Sequence, residues 1–567
     1  MALGGATNSA PTTEKPAWGR VLICGGIDWA NLGRSRKAGA SAAKAESEFP
    51  DILQPCILRS LANIRAVSIH TSHSACHAVV LDIYGTAFLF GRNASSCLGL
   101  PSSTSAITSE QTPRRLRPVQ CGASKNSIKF INAACGRAHT LLIDDAGDLW
   151  TAGINTLGQC GHPPRPEVTS FKKVSGPWLK TTPPDKVVAA SAGITFSIVL
   201  TESGKVYSFG SAEMGQLGNG RTGEHISTGN KTAFDVEHEP IRIKAFEGKK
   251  IVQIASGQQH SIALAEDGNV YVWGTGGYCR TGLGNPKDHL VPVPVPKFSQ
   301  ELVLRGEQVM AGPTSSVVVD RQGIYWLAGK WKTSGDGSSG QPYSNFRLLQ
   351  DIMGCRILGG ACGGVTHFCF TPSEDGCVMT IGWGQGANNC ELGLGDGQPK
   401  SATKPVEITT LKGIDVFQIA AGAHTSFFLA RPNQALSDLD RYPEVEPSED
   451  CQVCRKNEGD GSDLLECEKC ENPYHLHCLD PPLSTVPDGE WFCAECEADS
   501  DSRGVNSTDS IDSESQSSAP RKRGRPRKNV NVSEDEEEDE EDEDGDEDEE
   551  PANKKYRKQV KGNKRRR

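Results

Sequence analysis

The chain has 567 residues, 36% hydrophobic and 23% charged, with 61 Gly, 33 Pro and 20 Cys, a length that predicts about three units or one large repeat array with additions. No run reaches the ~18–20 apolar residues of a membrane span, and residues 1–19 lack the apolar stretch of a secretory signal, so an intracellular chain with no membrane partner is expected, its cysteines held as thiols or metal ligands. The net charge of −11 is segregated: residues 521–567 hold 15 Lys/Arg against 16 Asp/Glu, which leaves −10 on the first 520 residues.

Residues 1–17 are expected to be a disordered lead. Residues 18–34, "WGRVLICGGIDWANLGR", carry the signature of outer strands with no inner strands before them. Residues 35–63 form a long connection rich in Ala, Ser and Lys. A sentence then recurs along the chain. "IVQIASGQQHSIALAEDGNVYVWG" from Ile251 reads as an apolar strand, a glycine, a second strand, a D-G turn and a third strand. Copies begin at Ile131 and Val187, with weaker ones at Val67, Val309, Leu358 and Phe417. The glycine that opens the second strand falls at Gly136, Gly193, Gly257, Gly312, Gly364 and Gly422, with Ser74 in its place in the first copy.

Units of ~40–60 residues with three or four strands each predict propeller blades. The seventh copy stops after two strands, near Leu429, and the missing half stands at the other end, in residues 18–34. The expectation is therefore an all-β, seven-bladed propeller over residues 18–432, closed by pairing of the N- and C-terminal strands, which removes the open sheet edges. A second long insertion, residues 219–241, is either functional or disordered, as is 35–63. His77, His139, His260 and His367 are placed in one register of the repeat, where Phe196, Ser315 and Thr425 stand in other copies; a ring position open to Phe reads as core, not chemistry. Cys135 and Cys362 read as buried thiols.

The pattern G-x-x-H-(S/T)…G-x-(V/L)-(Y/W)…G-x-L-G, with "MGQLG" at Met214, "LGLGDG" at Leu392 and "GRVLICGGIDW" at Gly19, resembles the regulator-of-chromosome-condensation repeat family. It is most similar to that family's second, mitotic chromosome- and centromere-associated branch. The founding member's activity, guanine-nucleotide exchange on a small GTPase, is the alternative function this implies. It would act through a wedge-like loop, and no segment identifies itself as that wedge. No phosphate loop, metalloprotease helix or G-x-S-x-G elbow stands in a fitting context, so no catalytic residue is assigned.

Residues 433–447 read as a linker. The following module, residues 448–498, holds Cys451-x2-Cys454, Cys467-x2-Cys470, His475-x2-Cys478 and Cys493-x2-Cys496. Each pair places two soft donors where they can share one tetrahedral ion, and four pairs make two structural zinc sites. A module this small needs such help to fold. Only His475 has the two-residue gap to Cys478; His477 is the rival. The order of four cysteines, a histidine and three cysteines, with Trp491 two residues before Cys493, resembles the plant homeodomain (PHD) finger. That resemblance implies a cross-brace, with Cys451, Cys454, His475 and Cys478 on one ion and Cys467, Cys470, Cys493 and Cys496 on the other.

A methyl-lysine reader needs an aromatic cage, and neither Ser448-Glu449-Asp450 nor Asp463-Leu464-Leu465-Glu466 supplies one. The text resembles the PHD subclass that reads the unmodified amino terminus of histone three. The histone tail would add a strand beside Leu464, Leu465 and Glu466, with Glu449 and Asp450 pairing an unmethylated lysine, Glu468 an arginine, and carbonyls of residues 487–489 the free amine. The loop 457–462 is a departure that bears on the peptide's approach. A finger that only packs on the propeller or a partner protein is the other reading.

Residues 499–567 cannot bury a core and are expected to be disordered. Within "RKRGRPRK" (521–528), Arg523-Gly524-Arg525-Pro526-Arg527 resembles the AT-hook, whose arginines lie in the minor groove of A·T-rich DNA; the same residues satisfy a nuclear import signal. The acidic run 534–550 either attracts histone tails, screens its basic neighbours, or only solvates. A second basic block fills residues 554–567. The sequence thus predicts a nuclear chromatin adaptor whose flexibly joined contacts, histone tail, DNA and a propeller-docked partner, reinforce one another.

Overall fold

The computed structural model describes residues 17–29, 31–32, 49–101, 113–116, 128–331, 340–456, 464–487 and 489–501. Seven sheets run around a ring, six of them four-stranded and antiparallel, each drawn from one stretch of chain. The second blade is representative: Phe130–Cys135, His139–Asp144, Leu149–Asn155 and Arg165–Lys173 succeed one another from the innermost strand outward. Its second strand is buried along its whole length, because a strand flanked on both faces by neighbouring blades has no solvent side.

The ring closes as the sequence predicts. Asp415–Ala421 and Thr425–Arg431 supply the inner half of the last blade, and Arg20–Gly25 pairs antiparallel to Thr425–Arg431 from Arg20↔Ala430 to Gly25↔Thr425. Ile52–Leu58 completes the blade outside Arg20–Gly25. The connection expected over residues 35–63 is therefore shorter than it reads, since Ile52–Leu58 is a strand. The insertion at residues 219–241 likewise contains structure. A two-stranded hairpin, His225–Ser227 with Lys231–Ala233, precedes the outer strand Val236–Arg242.

The glycine and histidine of the repeat form one packing unit. His139 opens the second strand and its ring lies on Gly136, where an added β-carbon would stand 2.1 Å from Cε1; Gly257 meets His260 in the same way at 2.0 Å. Only glycine admits so close an approach. The ring then reaches the next blade: His77 Nε2 is 2.9 Å from Thr140 Oγ1, His139 Nε2 3.0 Å from Ser197 Oγ, and His260 Nε2 3.0 Å from Ser316 Oγ. Each hydroxyl donates to a loop carbonyl of the preceding blade, Thr140 to Cys97, Ser197 to Gln159 and Ser316 to Arg280. Its single hydrogen is thus used, so the imidazole must donate through Nε2. These histidines are buried stitches between blades.

The sixth blade corrects the repeat register by one residue. Thr366, not His367, pairs with the blade's glycine, Gly384, as His139 pairs with Gly153, and Gly363, not Gly364, donates to the strand start at Thr366. A one-residue shift turns the side chain to the other face of the sheet. His367 accordingly stacks on Trp383 at 5.4 Å and lies 3.2 Å from the Tyr325 hydroxyl.

Residues 433–447 do not form the expected linker throughout. Asn433 caps the short helix Gln434–Ser437 by accepting from the Leu436 amide, and Leu436 is buried. Arg441–Tyr442 then lies parallel to Ile57 and Leu58 as a fifth strand on the closing blade.

Candidate functional site

The chain enters the C-terminal module through Glu449 and Asp450, both exposed. Leu464–Glu466 and Pro473–His475 form its small hairpin, register Leu465↔Tyr474, and the helix Ala494–Asp501 follows the last pair of cysteines' first member. The donors gather in two groups of four, Cys451, Cys454, His475 and Cys478 in one and Cys467, Cys470, Cys493 and Cys496 in the other, the ligand atoms of each within 4.8 Å of one another. This is the interleaved pairing expected from the resemblance.

The spacing fits zinc. A tetrahedral ion with sulfurs at about 2.3 Å sets them about 3.8 Å apart; Cys470 Sγ and Cys493 Sγ are 3.8 Å apart, and Cys454 Sγ is 3.3 Å and Cys478 Sγ 3.9 Å from His475 Nδ1. Main-chain amides of His475 and Cys493 donate to Cys451 Sγ and Cys467 Sγ, each at 3.3 Å, which favours the thiolate that a metal requires. Nδ1 of His475 faces the sulfurs. His477 stays exposed and stacks on His475 at 5.0 Å. With all four positions taken by protein, each cluster is built to hold structure and leaves no place for substrate.

The module's aromatic rings are engaged elsewhere than in a cage. Tyr474 packs edge-on against Trp491 at 5.4 Å, beside the second cluster. Phe492 meets the Arg20 guanidinium at 5.4 Å. Leu464–Glu466 has Pro473–His475 on one side and, among the described residues, no strand on the other. Leu465 is buried, while Leu464 and Glu466 are half-buried.

Three arginines fix the module to the closing blade. Arg20 gives Nε to Glu490 at 2.9 Å and Nη1 to the Ile64 carbonyl at 2.7 Å. Arg59 reaches the Lys469 carbonyl at 2.7 Å and the Glu471 carboxylate at 3.0 Å. Arg441 pairs with Glu468. Asn63 donates to the Cys496 carbonyl at 2.6 Å. Apart from the Ile64 carbonyl, every one of these acceptors belongs to the segments carrying the second metal cluster. Sequence reasoning missed these arginines, because single cations in strands and connections carry no periodic mark. It also assigned Glu468 to a peptide arginine; that carboxylate is held by the chain's own Arg441. Arg523, Gly524, Arg525, Pro526, Arg527, the acidic run and the loop 457–462 lie outside the described residues.

With this geometry in hand, a family model described as the RCC1-like domain matches residues 20–428. The chain belongs to the RCC1-like domain family. A second model, the PHD-finger, matches residues 451–496. Protein RCC2 of Homo sapiens is 30% identical over 444 residues, covering 76% of this chain and 80% of its own. The E3 ubiquitin-protein ligase HERC2 of Homo sapiens is 27% identical over 402 residues, 70% of this chain but only 7% of that protein. Among solved structures, yeast RCC1 (Prp20) bound to Kap60 superposes with a TM-score of 0.57 at 15% identity, covering 76% of this chain and 98% of that one. A structure of Saccharomyces cerevisiae Prp20p, whose description includes its binding properties to Gsp1p and histones, gives 0.54 at 16% identity, over 74% and 93%. At such identities these superpositions speak for the fold.

Proposed function

We propose that the chain is a nuclear chromatin adaptor. Its finger holds two structural zinc ions and takes the unmodified N-terminus of histone three as an added strand on Leu464–Glu466, and its propeller is a rigid docking surface for nucleosomes or other proteins. One observation carries this reading. The finger offers an open strand edge and exposed acids at Glu449 and Asp450, while Tyr474, Trp491 and Phe492 are committed to packing. Such a surface favours an ammonium that keeps its hydrogens, since trimethylation removes every donor a carboxylate can accept from. The basic residues Arg523, Arg525 and Arg527 contact A·T-rich DNA in this account, with affinity that falls steeply with salt.

Titrating the full chain with a histone-three N-terminal peptide tests the reading. Saturable binding is expected, lost when the peptide amine is acetylated and weakened by the double substitution Glu449→Ala with Asp450→Ala. Binding indifferent to both changes contradicts it.

A second reading, regulation of a small GTPase through the propeller, is favoured by the hairpin of His225–Ser227 and Lys231–Ala233, which carries Ile226 at 73% exposure. An apolar side chain held out on a hairpin is suited to wedging into a partner. A nucleotide-release assay with and without residues 225–233 decides it: acceleration that needs the hairpin supports the reading, and no acceleration with any GTPase rejects it.

A further inference from the structure

Arg441 occupies its acid in a particular way. Nε donates to the Glu468 carbonyl at 2.6 Å while Nη2 pairs with the same residue's carboxylate. Both main-chain and side-chain acceptors of Glu468 are thus engaged by one planar guanidinium. That is the two-point contact an incoming peptide arginine would have to make. The Arg441 side chain is 3% exposed and that of Glu468 16%. Arg441 is not a mobile surface residue: it is pinned by its parallel pairing with Ile57 on the closing blade. Arg59 and Arg20 hold the flanking segments of the finger at Glu471 and Glu490, so the acid is presented to Arg441 by a fixed frame. A second guanidinium arriving there would meet a cation, with the carbonyl and one carboxylate oxygen of Glu468 already engaged.

We infer that Arg441 is a specificity-determining residue of the finger, filling from within the acid that would otherwise demand a peptide arginine. The peptide is then recognised by its free amine and its lysine alone. The inference rests on the tail-reading proposed above and narrows its substrate: arginine-modified and unmodified tails are bound alike.

The experiment uses the full zinc-loaded chain and two histone-three N-terminal peptides, one unmodified and one with its first arginine replaced by alanine. The unaltered chain is expected to bind both within about two-fold, because no charge-assisted bond is lost. In Arg441→Ala, and in the milder Arg441→Gln, Glu468 is opened and the arginine peptide gains about ten-fold over its alanine partner, the equivalent of one such bond. A ten-fold or greater loss with the alanine peptide on the unaltered chain overturns the inference and leaves the tail-reading standing. Equal binding of the two peptides by folded Arg441 variants also overturns it. Failure of the unaltered chain to bind either peptide overturns the tail-reading and this inference with it.

Discussion

Arg59 and Glu471 stand 412 positions apart in the chain and 3.0 Å apart in space. One belongs to the turn after Ile52–Leu58 of the closing blade, the other follows Cys470 of the finger's second cluster. Their side chains are 8% and 27% exposed, so the pair is largely out of water and a missing partner leaves a charge poorly solvated. Arg59 also supports the Pro443 and Lys469 carbonyls. Arg59→Ala is therefore expected to destabilise the junction by about 2–4 kcal/mol, seen as a lower melting temperature. The swap of Arg59→Glu with Glu471→Arg recovers part of the loss. Equal stability of Arg59→Ala and the parent in a denaturant titration contradicts the assignment.

Metal removal tests the same junction from the other side. Glu468, Lys469 and Glu471 sit on the knuckle that Cys467 and Cys470 hold, and a finger without its ion loses the energy that orders it. Chelation, or Cys470→Ser, is expected to raise hydrogen exchange in Arg441–Tyr442 and Ile52–Leu58 while the second blade stays protected. Unchanged exchange in those two segments after zinc loss separates the finger from ring closure.

The stitches between blades give an internal control. Ser197 accepts from His139 and donates to Gln159, and His139 Nδ1 is already buried without a partner. Ser197→Ala leaves the ring with no acceptor, at an expected cost of about 1–3 kcal/mol. Ser261 holds the equivalent place in the fourth blade, but the third blade offers Phe196 where the first, second and fourth offer histidine. Ser261→Ala should therefore cost less. Guanidinium melts of the two variants read the difference, and equal losses refute the stitch.

Acid should unravel the ring before the carboxylates titrate. Burial lowers His77 and His367 to about 4 and His139 to about 3, and pushes His260 well below the ordinary value of 6.5. These rings are neutral in the fold, whereas the unfolded chain takes up protons near 6.5. Stability is complete above that pH and falls as pH drops toward 4, by about 1.4 kcal/mol per pH unit for each histidine. Melting temperatures measured from pH 7.5 to 4.5 should decline steeply below 6.5. A flat profile across that window shows that the histidines are not buried as described.

What the sequence disclosed, and what it hid, follows from the range of each interaction. Ring closure was legible because the half-blade after Phe417 and the orphan strand around Leu22 are complementary fragments of one repeat. The metal ligands were legible because C-x-x-C geometry is local. The sixth blade slipped by one residue because Gly363 and Gly364 adjoin, and a pattern cannot choose between two glycines; the Gly384↔Thr366 pairing does. Residues 433–447 read as a linker because their anchors are one buried leucine, Leu436, and one arginine, Arg441, against strands nearly 400 residues earlier. Glu468 looked like any finger acid until its partner was placed beside it.

The most direct measurement is a calorimetric comparison of the full zinc-loaded chain with two histone-three N-terminal peptides that differ only in trimethylation of the first lysine. An edge flanked by Glu449 and Asp450, with no ring free to cage a quaternary ammonium, should bind the unmethylated peptide at least about ten-fold more tightly. Tighter binding of the trimethylated peptide would contradict it.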